Sequence, residues 1–295
     1  MISIIICSRG AEYCTNVKAN ILNTIGIPFE IIIVNNAANK YSITKAYNNG
    51  ASKAIYSYLC FVHEDVIFHD QDWGKKVIDH FNGDPEIGLI GIAGGSYKSA
   101  VPSSWFPLVQ LQPEFLIHKR LWQHFGNRIV LENVNPYNET RTRVACLDGV
   151  WLCCRKEIWD KVKFDEALQG FHCYDLDFSL AVNKIARVVI VYDILLEHFS
   201  AGNYGSDWVK ATYLLHKKLS TALPVNYTTI KRKAIKELEV KSRELFISYM
   251  KVAKLKPTDV LNVIWARGTF LFFDVKQFCK WNIKWGFYTM KYFIQ

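Results

Sequence analysis

Short apolar runs alternate with amphipathic stretches through the first part of the chain. Residues 3–7, 30–34 and 58–62 are continuous apolar runs, as expected of strands that are buried on both faces. Between them, residues 15–24 and 43–58 carry apolar side chains at helical spacing. This order predicts an α/β domain with a doubly wound, mostly parallel sheet flanked by helices. A ligand crevice is expected at the carboxyl ends of its strands.

The pattern changes further along the chain. Residues 97–143 have weak periodicity, which indicates a loop-rich insertion, before strand and helix patterns return at 144–162 and 186–193. From residue 209 the sequence predicts long Lys-rich helices that Pro257 interrupts. We therefore expect two domains, a sheet domain at 1–208 and a basic, aromatic helical extension at 209–295.

Composition narrows the class of protein and its partners. The 295 residues are 50% hydrophobic, which excludes a disordered chain, and the net charge of +9 suits nucleotide phosphates, nucleic acid or anionic lipid. The first apolar run has no basic segment before it and no cleavage site after it, so we expect no signal peptide and a cytoplasmic location. The eight cysteines form no CxxC pair and are expected to be reduced and mostly buried.

The end of the chain is aromatic and carries Lys with almost no acid. Residues 260–295 contain no run of about 18 uncharged apolar residues, so a transmembrane span is not expected. Two interpretations stay open. One is a helix lying peripherally at the inner face of a membrane, because Trp and Tyr beside Lys favour the headgroup boundary. The other is an aromatic helix that packs on the sheet domain or on a dimer partner.

Polar side chains follow the three apolar runs. They are Ser8 and Arg9 after the first, Asn35 and Asn36 after the second, and His63, Glu64 and Asp65 after the third. All should line the crevice, where the Asp65 carboxylate could hold a hard divalent cation against phosphate oxygens. The later polar residues of this stretch are expected to precede and cap the helix that begins near Trp73: His69, Asp70 and Asp72.

Two further segments carry candidate chemistry. Asp175 and Asp177 stand at the front of a helix-like run, and helix capping explains one of these acids without requiring both. His198 follows an apolar run in a turn-like setting of Ser, Gly and Asn. A lone His is more often structural, but neutral imidazole is also a common metal ligand.

These blocks together resemble the inverting glycosyltransferases with the GT-A fold, of the glycosyltransferase family 2 type. SIIICSR looks like the first strand and its nucleotide-contacting loop, and SITKAYNNGASKA looks like the small-residue helix, with Asn48 and Gly50 at matching places. FVHEDV resembles the Asp-x-Asp region, with Asp65 matching its last acid. The segment from LDGVW to YDLDFSLAV resembles the acceptor-side block, and HFSAG at 198–202 resembles a His-x-Ser-x-Gly turn. The resemblance covers residues 2–208.

The resemblance implies transfer of a sugar from a nucleoside-diphosphate sugar, by default a UDP-sugar, to a hydroxyl of a glycan or lipid-linked acceptor in polysaccharide biosynthesis. It implies Mn²⁺ or Mg²⁺ held by Asp65 and His198, with Asp175 as the general base. The implied nucleotide-sugar contacts are Ser8, Arg9, Asn36, His63, Glu64 and Asp65. The implied sugar or acceptor side is formed by Asp148, Trp151 and Asp177. Trp151 either stacks on a sugar or fills the core, and Asp177 is expected to order the helix start.

The sequence departs from the family pattern at three places. His63 stands where the family usually has Asp, the pair at 35–36 is Asn-Asn where Asp-Asp is usual, and Tyr174 replaces Glu. One carboxylate binds a divalent ion less tightly than two, so a degenerate protein that binds nucleotide sugar or glycan without turnover is the alternative. A nucleic-acid-binding protein is less favoured, because Lys is spread without Arg clustering and no recognition motif is present. We therefore expect no nucleic-acid partner, and the oligomeric state stays open.

Overall fold

The computed structural model describes residues 1–38, 40–109 and 116–294. The chain forms two compact units, of which the first comprises Met1–Ser96 and Ile117–Gly202 and the second comprises Tyr97–Leu116 and Asn203–Gln295. The C-terminal segment of the second unit begins at Asn203, six residues before the predicted start of the helical extension at 209. The second unit also includes a segment of the region that was expected to be an insertion in the sheet domain.

The strands and helices are defined by the following bounds. The strands are β1 (Ile2–Ser8), β2 (Phe29–Asn35), β3 (Tyr58–Val62), β4 (Val66–Phe68), β5 (Ile87–Gly91), β6 (Ala93–Gly95), β7 (Tyr97–Lys98), β8 (Ile117–Phe125), β9 (Arg128–Val134), β10 (Arg141–Arg143), β11 (Cys146–Leu147), β12 (Trp151–Arg155), β13 (Arg187–Val191), β14 (Leu196–His198) and β15 (Val225–Asn226). The helices are α1 (Ala11–Thr24), α2 (Ile43–Ala51), α3 (Trp73–Gly83), α4 (Lys156–Val162), α5 (Tyr174–Val182), α6 (Ser206–Lys218), α7 (Arg232–Val252), α8 (Pro257–Ile264), α9 (Arg267–Leu271) and α10 (Val275–Ile294).

The main sheet of the first unit has the strand order β10-β13-β5-β12-β3-β1-β2 in the described residues. β1 pairs in parallel with both β2 and β3, whereas β12 runs antiparallel between β3 and β5. Parallel strands require crossover connections, and α1 and α2 supply them between the first three strands. The predicted strands at 3–7, 30–34 and 58–62 are thereby confirmed, as is an α/β sheet flanked by helices.

α2 packs against β1 at the centre of this core. Gly50 is needed there, because a Cβ at this position would lie 2.4 Å from the Cγ2 atom of Ile5. The helix ends at Ala51 and does not continue to residue 58 as predicted. The backbone N–H of Ile55 instead donates to Glu30 Oε1 at 2.8 Å, which turns the chain towards β3.

A second sheet in the same unit has the order β11-β6-β8-β14-β4, with β9 paired to β8. Its β8–β9 hairpin occupies sequence that was expected to be loop-rich, so that expectation was wrong for residues 117–134. β14 lies between β8, with which it is parallel, and β4, with which it is antiparallel. This pairing places His198 level with Gln123 on one side and with Val66 on the other.

The second unit is mainly helical, with α6 to α10 packed around buried side chains that include Trp208, Phe246, Met250 and Trp281. Pro257 occupies the first turn of α8, where a missing backbone N–H breaks no helical hydrogen bond. None of the helices in the described ranges is long and apolar enough to cross a membrane. All eight cysteines are free and seven of them are buried, as expected.

Candidate active site

Three side chains converge where β3 and β14 end. The potential ligand atoms of His63, Asp65 and His198 all lie within 4.8 Å of one another. His198 Nε2 is 3.6 Å from Asp65 Oδ2, and His63 Nδ1 is 3.9 Å from Asp65 Oδ1. Pairing between the backbones fixes the arrangement, because the N–H of Phe199 donates to the Asp65 carbonyl and the N–H of His63 donates to the Val150 carbonyl. We refer to these three residues as the His-Asp-His cluster.

The hydrogen bonds of His198 determine which ring nitrogen carries its proton. The Gln123 amide nitrogen donates to the carbonyls of His124 and Ser200, so its Oε1 atom points the other way and can only accept. His198 Nδ1 lies 3.2 Å from this oxygen and must donate to it. Burial, followed by the neighbouring His63, lowers the pKa of His198 and favours the neutral ring. Nε2 is therefore unprotonated, and it lies 3.6 Å from Asp65 Oδ2 and 3.3 Å from the Ser200 hydroxyl, which can donate to it.

The tautomer of His63 is fixed by the Tyr174 hydroxyl. The Tyr174 hydroxyl donates its hydrogen to the Gly149 carbonyl at 2.9 Å, and burial raises the pKa of Tyr174 and keeps the hydroxyl protonated. His63 Nε2 lies 2.8 Å from the hydroxyl oxygen and is consequently the donor to it. In the neutral imidazole, Nδ1 of His63, on the side of Asp65, is then the nitrogen without a proton. Both imidazoles thus direct a bare nitrogen towards the same carboxylate.

The donor set fits a divalent cation. Two imidazole nitrogens and one carboxylate suit transition ions such as Mn²⁺ better than Mg²⁺, which prefers oxygen ligands. The Asp65 carboxylate accepts no hydrogen bond from the residues that the structure describes, so both of its oxygens have coordination capacity left. His63, predicted as a nucleotide-sugar contact and as a loss of an acid, places a ring nitrogen beside Asp65 where the family usually has that acid.

Two residues of this arrangement were missed by the sequence analysis. Gln123 lies on β8 in a region without clear periodicity, and nothing in the sequence marked it. Tyr174 was noted only as a departure from the family pattern, yet its hydroxyl orients His63 and its ring packs edge-on against Tyr47. Second-layer partners of this kind fix the tautomer and orientation of a ligand.

A carboxylate with a raised pKa lies close to the cluster. Asp175 Oδ2 accepts from the Gly149 N–H at 3.1 Å in the first turn of α5. Burial, followed by the negative charge of Asp148, raises the pKa of Asp175 to about 7. The Asp148 charge also acts on His198, so Asp148 is within electrostatic reach of both groups. A carboxylate with such a pKa can take up a proton at neutral pH, as a general base must.

The backbone around Asp175 is held in a demanding conformation. Cys173, directly before α5, has a φ of 65°, a left-handed conformation that is costly for a residue with a side chain. Gly149 cannot be replaced without displacement, because a Cβ there would lie 2.1 Å from the Tyr174 hydroxyl. Strained positions of this sort cluster at functional sites.

The predicted nucleotide side forms a loop after β1. The Glu64 carboxylate accepts from the backbone N–H groups of Arg9 and Gly10, at 3.0 and 3.3 Å, and so fixes the loop. The Arg9 guanidinium lies over the Phe171 ring, 5.1 Å from its centroid, and Ser8 ends the buried strand. Asn36 is 1% exposed and its amide binds the backbone N–H and carbonyl of Tyr41. These contacts give Asn36 a structural task, and its contact with a nucleotide stays a prediction.

Two predicted roles are corrected by the packing. Trp151 is completely buried and its ring packs edge-on against Trp73 and Phe68, so it has no free face for a sugar and fills the core. Asp72 precedes α3 but its side chain makes no capping hydrogen bond. Asp177 is 7% exposed on the first turn of α5, and its expected role in ordering the helix start stays a prediction.

Comparison with known proteins identifies the family and the fold. The sequence model of a family described as "Glycosyltransferase like family" matches residues 2–232, which is most of the chain. The chain belongs to this glycosyltransferase-like family. No curated protein sequence matches it. The family of this glycosyltransferase is therefore recognised from the sequence pattern that the whole family shares, and not from similarity to one curated protein.

Solved structures show the fold of this glycosyltransferase. S. aureus TarS 1–349 superposes with a TM-score of 0.53 at 13% identity, covering 92% of this chain and 82% of that one. The same protein in complex with UDP gives 0.54 at 12% identity with the same coverage. The mannosyltransferase PcManGT from Pyrobaculum calidifontis, in complex with GDP-Man and Mn²⁺, gives 0.50 at 10% identity and covers 99% and 86%. The predicted GT-A fold is confirmed.

Proposed function

We propose that this glycosyltransferase moves a sugar, with inversion, from a nucleoside-diphosphate sugar to a hydroxyl of a glycan or lipid-linked acceptor. The observation that carries the proposal is the His-Asp-His cluster, whose two imidazoles are held in the tautomer that a cation requires. The similar TarS structure is described in complex with UDP and PcManGT with GDP-Man and Mn²⁺. A UDP-sugar is our first choice of donor, and Mn²⁺ our first choice of ion.

The residues of the site have different roles in the proposed sugar transfer. His63, Asp65 and His198 would hold the divalent cation, which when bound neutralises charge on the departing diphosphate. Glu64 holds the loop of Ser8 and Arg9 in place beside this site. Asp175 accepts the proton of the attacking acceptor hydroxyl, and no covalent enzyme intermediate is needed. Asp148 tunes Asp175, because its negative charge raises the pKa of that carboxyl.

The first experiment incubates the full chain with a panel of nucleotide sugars and Mn²⁺ and measures hydrolysis of the donor. UDP-sugars should be bound and slowly hydrolysed, and EDTA should abolish the reaction. Once an acceptor is found, the coupling constant of the new anomeric proton reports whether the configuration is inverted. Binding without turnover of any donor would favour the degenerate alternative, and absence of binding to every nucleotide sugar would refute the proposal.

Replacing the proposed base separates catalysis from binding. Asp175→Asn should lower the rate of transfer by roughly 10²- to 10⁴-fold, because an amide cannot take up the proton. The donor Kd should stay unchanged, since Asp175 is assigned to the acceptor. An equal loss of donor affinity would contradict the assignment.

Stability provides the control for this variant. The pKa of Asp175 is raised in the folded state, so the native protein binds a proton more tightly than the unfolded chain, and stability falls as the pH rises from about 4 towards 7. At pH 8 the variant no longer buries an ionised carboxylate. Its melting temperature at pH 8 should therefore equal or exceed that of the parent protein.

A further inference from the structure

Helix α10 is attached to the second unit by one face only. Trp281 is 3% exposed, the Trp285 indole N–H donates to the Pro257 carbonyl at 2.8 Å, and the Tyr288 hydroxyl donates to the Leu255 carbonyl at 2.6 Å. The inward face of α10 thus packs within the second unit itself, and not in the way that either interpretation of the aromatic tail specified. These contacts also fix which residues must point the other way.

The opposite face of α10 is apolar and exposed. Ile283, Phe287, Met290 and Ile294 follow each other at intervals of four, three and four residues, which aligns them along the helix. Their exposures are 62%, 59%, 55% and 84%. We call these four residues the outward stripe. A contiguous exposed apolar row of this kind marks a surface that meets another apolar phase.

Positive charge accompanies the outward stripe. Helix α10 contains Lys276, Lys280, Lys284 and Lys291 and no Asp or Glu. By helical geometry, the last three form a row along one side of the stripe. The arrangement is that of a helix lying in a bilayer interface, with apolar side chains in the acyl boundary and lysines at the headgroups.

A cationic groove adjoins the stripe. Its volume is about 810 Å³ and its lining includes Lys251, Lys254, Lys284 and Lys291 together with Phe287 and Tyr292. Burial, followed by the positive charge of Lys284, lowers the pKa of Lys251. Like charges gathered in one groove are unfavourable until an anion lies among them, and a phosphate group is an anion of the right kind.

We propose that the outward stripe and its cationic groove bind the surface of an anionic phospholipid bilayer, with lipid phosphates in the groove. A second copy of this chain is a poorer occupant. In a two-fold dimer with antiparallel copies of α10, the two lysine rows would lie on the same side of the interface and repel each other. The acid beside that row, Glu244, already pairs with Lys280 at 2.8 Å and Lys284 at 3.2 Å. An anionic bilayer supplies both the apolar phase and the missing negative charge.

The test measures sedimentation of the full chain with vesicles. Vesicles of phosphatidylcholine with about 30 mol % phosphatidylglycerol should bind it at least tenfold more strongly than pure phosphatidylcholine, because each lysine near the surface favours anionic lipid by roughly fivefold. Binding should weaken as salt rises from about 0.1 M to 1 M, where the screening length falls from about 10 to 3 Å.

Variants assign the binding to this face. The triple change Ile283→Ser, Phe287→Ser, Met290→Ser should reduce vesicle binding at least tenfold, since three apolar side chains no longer enter the bilayer. A matched control, Leu22→Ser, Ile129→Ser, Leu214→Ser, alters three side chains that are similarly exposed elsewhere and should bind like the parent. Lys251→Gln with Lys291→Gln should lower binding to anionic vesicles and leave binding to neutral ones unchanged.

Three outcomes would overturn the proposal. In the first, the full chain binds to vesicles of no composition tested. In the second, the control variant loses as much vesicle binding as the stripe variant. In the third, light scattering shows a dimer that the stripe variant dissociates while vesicles are ignored, which would assign the stripe to a second copy. The readout does not depend on sugar transfer, so the proposed function can fail while this inference stands.

Discussion

Two acidic side chains of this enzyme, Glu239 and Asp65, differ in how many hydrogen bonds their carboxylates accept. Glu239 in α7 is fully buried, and its oxygens accept four hydrogen bonds, from the Tyr97 and Ser99 hydroxyls and from the N–H groups of Ala100 and Val101. Asp65 in the first unit is partly exposed and accepts no hydrogen bond from the residues that the structure describes.

The two carboxylates differ in the groups that compensate their negative charge. Glu239 is saturated by the protein and holds residues 97–101 to α7, so its task is complete without a ligand. The Asp65 carboxylate faces two imidazole nitrogens, neither of which donates a hydrogen to it in the neutral ring. A bound cation would therefore be needed to neutralise its charge. An acid with all its oxygens occupied stabilises a fold, whereas an acid with open oxygens beside bare nitrogens is a candidate metal ligand.

The strongest test of this contrast removes the open carboxylate. Asp65→Asn should lower donor turnover by roughly 10³-fold, since a ligand that supports several kcal/mol of charge neutralisation is lost. The melting temperature without metal should hardly change, because the Asp65 side chain accepts no hydrogen bond within the described part of the chain. Isothermal titration with Mn²⁺ and a thermal scan measure the two effects. A large fall in stability with Mn²⁺ affinity intact would reverse the contrast.

The saturated carboxylate should respond in the opposite sense. Glu239→Ala should destabilise the protein by about 3–5 kcal/mol, because it leaves Arg243, which is 2% exposed, as an uncompensated buried charge. Urea unfolding measures the loss. Mn²⁺ affinity of the molecules that remain folded should be that of the parent, and an Mn²⁺ affinity that falls as far as in Asp65→Asn would remove the distinction.

The residues that hold the imidazoles should give an intermediate effect. Gln123→Ala removes the acceptor that fixes the His198 tautomer and should weaken Mn²⁺ binding about 10- to 100-fold. Tyr174→Phe should act similarly through His63. Gln123→Met, which keeps the bulk of the side chain but cannot accept from Nδ1, is the matched control and should lose as much affinity as the Ala variant. An Mn²⁺ affinity that the Met variant retains would show that Gln123 acts only by packing.

The smallest expected effect is a shift in pH dependence. The parent kcat/KM should rise with pH through about 7 as Asp175 ionises. Asp148→Asn removes a negative charge that raises the pKa of Asp175, so the acidic limb should move to lower pH. A pH profile in saturating Mn²⁺ records it. An unchanged limb would mean that Asp175 is not the titrating base or that Asp148 does not act on it.

Sequence patterns predicted the parts of the fold that are buried on both faces. The three strands that lead to the site were recognised because continuous apolar runs allow few other structures. β8 was missed because polar side chains such as Lys119, Arg120 and Gln123 interrupt its apolar positions. Its strand conformation depends on pairing with β6, β9 and β14, and all of these partners are distant or weakly patterned.

The site was predictable in part for the same reason. Asp65, His198 and Asp175 were found by their places at strand and helix ends. The place of His63 in the His-Asp-His cluster was not predicted, because its tautomer depends on the hydroxyl of Tyr174, which lies 111 residues further along the sequence. Glu239 could have been noticed, since it shares the inward face of α7 with Leu238 and Phe246, where an apolar residue is expected.

The position of β14 has a consequence for how the enzyme is made. Within its sheet, this strand is inserted between β8 and β4, although it is synthesised after both. A nascent chain that ends before residue 198 therefore contains Asp65 and Asp175 but has a gap in the sheet and lacks His198, one of the three proposed metal ligands. During translation the chain should therefore be unable to bind Mn²⁺ at the proposed site until the first unit is nearly complete.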